Sequence, residues 1–316
     1  LSAMPPPEHF MNQSQSANLP RLTTGAAKHQ GKPLRKTSWA PLRMNTMAQI
    51  ATSTLPAVLA ISGSDSSGGA GMQADLKTML ACGVFGMSAI TALTAQNTTG
   101  VRSIQDTKPD ILADQINMVF EDIPPVAVKI GMVSSAELIA VIAGRLKEYG
   151  AKNIVVDPVM VAKSGDALLA PDAIEALKTK LLPRASVLTP NLPEAGALLG
   201  RSVTQEDQMI QAAKDLFELS GGTCAVLVKG GHLTGECCRD VLFDGKDVTQ
   251  IVSTRRKTKN THGTGCAMSS YLAATLARTG NLKEAFTLTQ AWMARAIGSS
   301  DALDCGKGHG PIHHFV

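Results

Sequence analysis

A few short stretches of this sequence collect residue types that handle phosphate, divalent cations and protons. Thr261-His262-Gly263-Thr264-Gly265-Cys266 stands immediately before an apolar helical pattern. Glycines there let the backbone approach a ligand closely, and a helix start offers unpaired N–H groups at the positive end of its dipole. Gly263, Thr264, Gly265 and Cys266 therefore have the makings of an anion site of the size of a terminal phosphate. The same residues also read as a plain helix start. Asp157 closes an apolar run and Glu194 lies in Asn191-Leu192-Pro193-Glu194. Two hard carboxylates at strand ends suit Mg²⁺, bound largely through water. Asn191 and Glu194 read equally well as the cap of a helix. Lys229, between Val228 and Gly230-Gly231, would bring a cation near bound phosphates, or would sit in solvent.

A glycine-rich loop, Gly63 to Gly71, follows the first apolar run. Within it Gly69-Ala70-Gly71-Met72-Gln73-Ala74 matches the dinucleotide fingerprint. That reading fails on two counts. The loop is several residues too long for the tight turn, and the second strand ends in Thr94-Ala95-Gln96 with no acid for a ribose hydroxyl. A Walker A loop is absent as well.

The elements that must position these groups alternate between short apolar runs and helical periodicities. Strands are expected at Ala57–Ile61, Gly86–Ala95, Val126–Ile130, Asn153–Val156, Val187–Leu188 and Ala225–Val228. A hairpin is expected from Asp240–Phe243 and Val248–Val252 around Asp244-Gly245. Helices are expected at Gly69–Ala81, Pro109–Glu121, Ala136–Glu148, Gln205–Leu219, Cys266–Arg278 and Leu282–Ser299. This alternation predicts an α/β fold with a mainly parallel central sheet flanked by helices in three layers. In such sheets ligands lie beyond the carboxyl ends of the strands, where Asp157, Asn191, Lys229 and Thr261–Cys266 all fall.

Taken in order, the stretches resemble one family. Gly63–Lys77, Thr91–Asn97, Lys129–Met132, Asp157–Gly165, Thr189–Glu194, Lys229–His232, His262–Cys266 and Gly306–His314 are similar to those of the hydroxymethylpyrimidine and phosphomethylpyrimidine kinases of thiamine biosynthesis, in the ribokinase superfamily. The likeness spans roughly residues 55–314. It implies a ribokinase-like fold and ATP-dependent phosphorylation of hydroxymethylpyrimidine, then of its monophosphate, with Mg²⁺. It also implies that Gln96 hydrogen-bonds the aminopyrimidine and that Asp75 holds the ring or its hydroxymethyl end. By the same resemblance Ala70, Met132 and Val159 would wall the ring, with Gly63 beside it, Lys229, Asn191, Glu194 and Thr264 would meet the nucleotide, and Asp157 with Glu194 would serve the metal. Cys266 replaces the Asp of related sugar kinases and would take the substrate's hydroxyl proton, a role a helix N-terminus favours by lowering a thiol's pKa. Pyridoxal kinase is the alternative within the branch. A non-catalytic pyrimidine sensor is the alternative outside it. The superfamily implies a homodimer.

Composition agrees with an enzyme built on an aliphatic core. Of 316 residues 44% are hydrophobic and only 3% aromatic. The net charge of +4 resides in residues 1–54, which carry +5 and leave 55–316 at −1. The expected domain of residues 55–316 thus has no basic footprint for nucleic acid, and no apolar run suits a membrane. Residues 1–54 are expected to be a disordered leader or extension, with organellar targeting a lesser option. The six cysteines form no CxxC pair, so a reducing, cytoplasmic setting is expected. Cys82 and Cys224 are expected to be buried, and Cys237 and Cys238 to lie in a loop.

Overall fold

The first strand shows how this chain makes two cores from one sheet. In β1 (Ala57–Ser62) successive side chains point to opposite faces. Val58 and Ala60 join one apolar cluster, and Leu59 and Ile61 join the other. The structure, a computed structural model, describes residues 55–160 and 171–316. The leader expected over residues 1–54 and the Lys163–Gly165 end of one motif lie outside the described residues.

The main sheet has eight strands. Besides β1 it contains β2 (Phe85–Ile90), β5 (Ala127–Ile130), β6 (Ile154–Val156), β7 (Val187–Leu188), β8 (Ala225–Val228), β9 (Cys237–Phe243) and β10 (Val248–Thr254), in the order β10-β9-β8-β7-β6-β5-β1-β2. All pairings from β2 across to β8 are parallel. The β9–β10 hairpin adds to β8 antiparallel. The strand order reverses between β1 and β5, the place where open α/β sheets hold ligands.

One face is covered by α2 (Pro109–Asp122), α3 (Ala136–Glu148), α5 (Leu192–Leu199) and α6 (Met209–Leu219), through Leu112, Ile116, Ile139, Ile142, Leu198 and Leu216. The other face is covered by α1 (Gly71–Ala81), α7 (Thr264–Thr279) and α8 (Leu282–Gly298), through Met79, Leu272, Phe286 and Trp292. The short α4 (Pro171–Ala176) completes the first layer. Each fully buried aliphatic side chain contributes about 1.5–3 kcal/mol, so the aliphatic composition suffices for both layers. Among the described residues no helix is long and apolar enough to cross a membrane.

The expected strand Gly86–Ala95 is in fact two strands in two sheets. Thr91 is fully buried at the break. Its N–H donates to Ser62 O, and its hydroxyl donates to Met132 O at 2.7 Å. Those bonds tie Thr91 to the ends of β1 and β5, and the chain turns out of the main sheet there. It continues as β3 (Ala92–Asn97), which pairs antiparallel with β4 (Gly100–Asp106) in a separate ribbon. Sequence reading passed over β4 because its side chains are mostly exposed and polar. It also passed over α5 as an element, although the capping pair that starts it was recognised. Cys237 and Cys238 open β9 instead of lying in a loop, because that strand extends three residues further back than its apolar core. Cys82 and Cys224 are buried, as expected.

Candidate active site

Two glycine-rich loops meet over the strand ends. The β1–α1 loop closes on itself, with Met72 N–H donating to Gly63 O at 2.8 Å. A Cβ on Gly71, whose φ is +54°, would press on that same carbonyl. Gly263, at φ +74°, caps α7 in the left-handed region. A side chain on Gly263 would collide with the Gly69 carbonyl, and one on Gly69 would collide with the His262 ring. The absence of Cβ atoms at both positions is what lets the loops touch.

Asp65 binds the loops together. Its Oδ2 accepts from Ala70 N–H at 2.8 Å and lies 2.8 Å from His262 Nε2, while Oδ1 accepts from the Ser67 N–H and hydroxyl. Burial pushes the Asp65 carboxyl up, but the hydrogen bonds from His262 and Ser67 outweigh it and hold the pKa at about 2. His262 in turn stands 3.4 Å from the Gln96 side-chain nitrogen. Gln96, on β3, is thereby linked through one imidazole to the start of α7.

On the other side of α7 lie the charged groups. Lys229 Nζ is 2.6 Å from Asp157 Oδ1 and 3.9 Å from Glu194 Oε2. A Cβ on Gly265 would stand 3.4 Å from Lys229 Nζ and 3.5 Å from Asp157 Oδ2, so this cluster borders the helix start. Thr189 Oγ1 also donates to Asp157. Burial raises the Asp157 carboxyl, but the Lys229 and Lys129 ammonium groups outweigh it and keep the pKa low. Glu194 behaves in the opposite way: burial raises it to about 7, against the pull of Lys229 and aided by the neighbouring Asp157 charge. Burial works against the Lys229 cation, yet the two carboxylates push its pKa to about 12. Asn191 and Glu194 do form a capping box, Asn191 Oδ1 accepting from Glu194 N–H and Glu194 Oε2 from Asn191 N–H. The same Glu194 oxygen, Oε2, serves the cap and faces Lys229, so the capping box fixes the carboxylate at the border of the cluster.

Beneath the anion loop, Lys129 and Asp75 form a fully buried ion pair at 2.8 Å, with Ser270 donating to Asp75 Oδ1 at 2.7 Å. Burial disfavours the Lys129 cation, but Asp75, Cys266 and Asp157 more than compensate. Asp75 exposes no surface, so a direct grip on a ligand requires the side chains covering it to move. Cys266 requires a correction. Its thiol is raised to about 11, chiefly by burial and further by the Asp75 and Asp157 charges, against Lys129 and a hydrogen bond from Gly71 N–H. The helix start does not overcome this desolvation.

The family model for phosphomethylpyrimidine kinase matches residues 65–313. The chain belongs to that family. It is 51% identical over 258 residues to the hydroxymethylpyrimidine/phosphomethylpyrimidine kinase of Rhizobium meliloti, covering 81% of this chain and 96% of that one. Its fold resembles a Clostridium difficile phosphomethylpyrimidine kinase (TM-score 0.68, 45% identity, 77% and 99% of the two chains). It also resembles the ADP complex of a Bacillus subtilis pyridoxal kinase (TM-score 0.76, 37% identity, 83% and 98%). The mainly parallel sheet with helices on both faces is this family's ribokinase-like architecture.

Within that family frame, the structure brings most of the sequence-selected residues to one end of the sheet. Gly63 lies against Met132, and a Cβ there would stand 3.2 Å from Met132 Sδ. Val159, just past β6, and Ala70, beside Gly263, are both partly exposed. Asp65 and Lys129 went unassigned by sequence reading. Each is an ionisable residue inside a small or apolar segment (Ser62–Ser67 and Val126–Ile130), which is the signal that marks a buried charge needing a partner. Among the described residues no group of three or more His, Cys, Asp or Glu could cage a metal. The Asp157–Glu194 pair suits a cation that keeps most of its ligands as water and phosphate.

Proposed function

We propose that this protein uses ATP to phosphorylate the hydroxymethyl group of hydroxymethylpyrimidine, and then the monophosphate to the diphosphate, in thiamine biosynthesis. The observation that carries the reading is the contact of Gln96 with His262, next to the start of α7. An amide able to read a ring edge and a helix N-terminus able to hold a phosphoryl group thus stand side by side.

In this reading the N–H groups of Gly263, Gly265 and Cys266 cover charge on the transferring phosphoryl group, which is the main demand of its loose transition state. Thr264, whose N–H donates to Thr261 O, joins them only if that bond is released. Lys229, held by Asp157, approaches the nucleotide's phosphates, with Asn191 and Thr264 alongside. Asp157 and Glu194 would hold Mg²⁺ through water; the metal neutralises phosphate charge when bound. Ala70, Met132 and Val159 enclose the ring, with Gly63 beside it. Cys266 receives the hydroxyl proton, and Lys129 is the cation that favours its thiolate. A homodimer in a reducing compartment accords with the family.

Purified protein with Mg-ATP and hydroxymethylpyrimidine should release ADP and give products heavier by one and then two phosphoryl groups. The likeness to solved pyridoxal kinases supports a second reading. Turnover confined to pyridoxal would replace the first, and binding without turnover of either compound would indicate a sensor.

A further inference from the structure

The C-terminal stretch Gly306–His314 takes no part in the chemistry above, yet it joins the two halves of the site. Gln96 lies on β3, in a two-stranded ribbon, and such a ribbon is marginal without support. The β1–α1 loop holds its near end. Ser64 O accepts from the Thr94 hydroxyl at 2.8 Å, and Ser66 Oγ bonds both the N–H and the carbonyl of Gln96. The tip beyond Gln96 is held from the other side. Gly308 N–H donates to Thr98 Oγ1 at 3.1 Å, and His309 N–H donates to Thr98 O at 3.0 Å. Gly310 O then accepts from His262 N–H at 2.9 Å, and Pro311 makes a parallel bridge with His262. Ile312 is buried in the core, and His313 N–H donates to Ala296 O on α8. Gly308 and Gly310 are separated by a single residue, so their backbones lie within about 7 Å of each other. Glycines permit this closeness. A Cβ on Gly308 would stand 2.0 Å from Thr98 O, and one on Gly310 would stand 2.2 Å from Asn260 Oδ1.

We propose that Gly306–Pro311 is a positioning strap that fixes the tip of the β3–β4 ribbon, and with it Gln96, against the start of α7. This rests on the reading that Gln96 meets the substrate ring. At one end the strap bonds Thr98, just past Gln96; at the other it bonds His262, the residue before Gly263. Release of the tip leaves the groups around α7 in place and lets the ring-reading amide drift from them. Transfer between two bound partners depends on that mutual placement, and a shift of about 1 Å costs as much as about 100-fold in rate.

The test is Gly308→Ala, whose Cβ meets the Thr98 carbonyl and displaces the tip. The expected result is a fall of about 10-fold or more in kcat/KM for hydroxymethylpyrimidine, with KM for ATP unchanged. An unmoved kcat/KM in folded Gly308→Ala, or a KM for ATP raised by the same factor, overturns the proposal. If Gly308→Ala does not fold, Thr98→Ala and Thr98→Ser decide. A fall of about 5-fold in Thr98→Ala, one hydrogen bond, that is absent in Thr98→Ser supports the strap; equal values in the two variants overturn it. Hydrogen exchange reads the strap without turnover: the amides of residues 97–100 exchange faster in Gly308→Ala or Thr98→Ala than in the wild type, and those of α7 do not. Wild-type protein inactive on hydroxymethylpyrimidine overturns the functional reading itself. Exchange alone then judges the strap, and unaltered exchange at residues 97–100 overturns it.

Discussion

Cys266 and Glu194 both sit in the site with pKa values moved upward by burial, and the two shifts have different consequences. A thiol at about 11 is almost wholly protonated at neutral pH. If it accepts the hydroxyl proton, kcat rises with pH through the neutral range. Cys266→Ala then lowers kcat by about 100-fold or more and abolishes that slope. Near-normal turnover in steady-state assays of the variant would remove Cys266 from the proton path. Glu194, raised from 4.5 to about 7, binds its proton more tightly in the folded protein than in the unfolded chain. Its contribution to stability is therefore fully present below about 4.5 and is lost as pH rises through about 7. Glu194→Gln should raise the melting temperature of the ligand-free protein at pH 8 and flatten its pH dependence between those limits, while weakening Mg-ATP binding. Melting curves across pH, and ATP titrations, would check both halves.

At the scale of elements, the contact between the β1–α1 loop and the start of α7 is made by glycines, and it positions the helix start proposed as the anion site. Gly263→Ala combines a disfavoured left-handed conformation, which costs about 1–2 kcal/mol, with a clash against the Gly69 backbone. The expected outcome is a loss of kcat/KM of more than about 10-fold, accompanied by a lower melting temperature. A variant with wild-type kinetics would show that the loops separate without harm. The glycines themselves were legible as a loop before a helix. Their mutual contact was not, since it joins positions nearly 200 residues apart. Asp65 and His262 belong to the same category: each is ordinary in its own segment and acquires meaning only when the two loops meet. Thr91 is the reverse case. A β-branched residue inside an apolar run reads as the interior of a strand, and only its bonds to Ser62 and Met132 make it a point of departure from the sheet.

For the whole molecule, both apolar clusters and the family match lie within residues 55–316. A chain trimmed to those residues should keep its turnover and its thermal transition. Loss of either would assign a role to residues 1–54. The parallel sheet places the ends of β1, β5, β6, β7 and β8 along one edge, so Gly63, Met132, Asp157, Asn191 and Lys229 converge although they span most of the domain.

Most of the strands and helices of the main sheet and the capping pair at Asn191 and Glu194 followed from sequence, because each depends on neighbours within about one helical turn or on simple periodicity. The pairing of Asp65 with His262, the buried Lys129–Asp75 floor and the raised thiol of Cys266 depended on tertiary structure. Each arises from removal of charge from water beside a partner distant in the chain, and no local pattern records how much water remains.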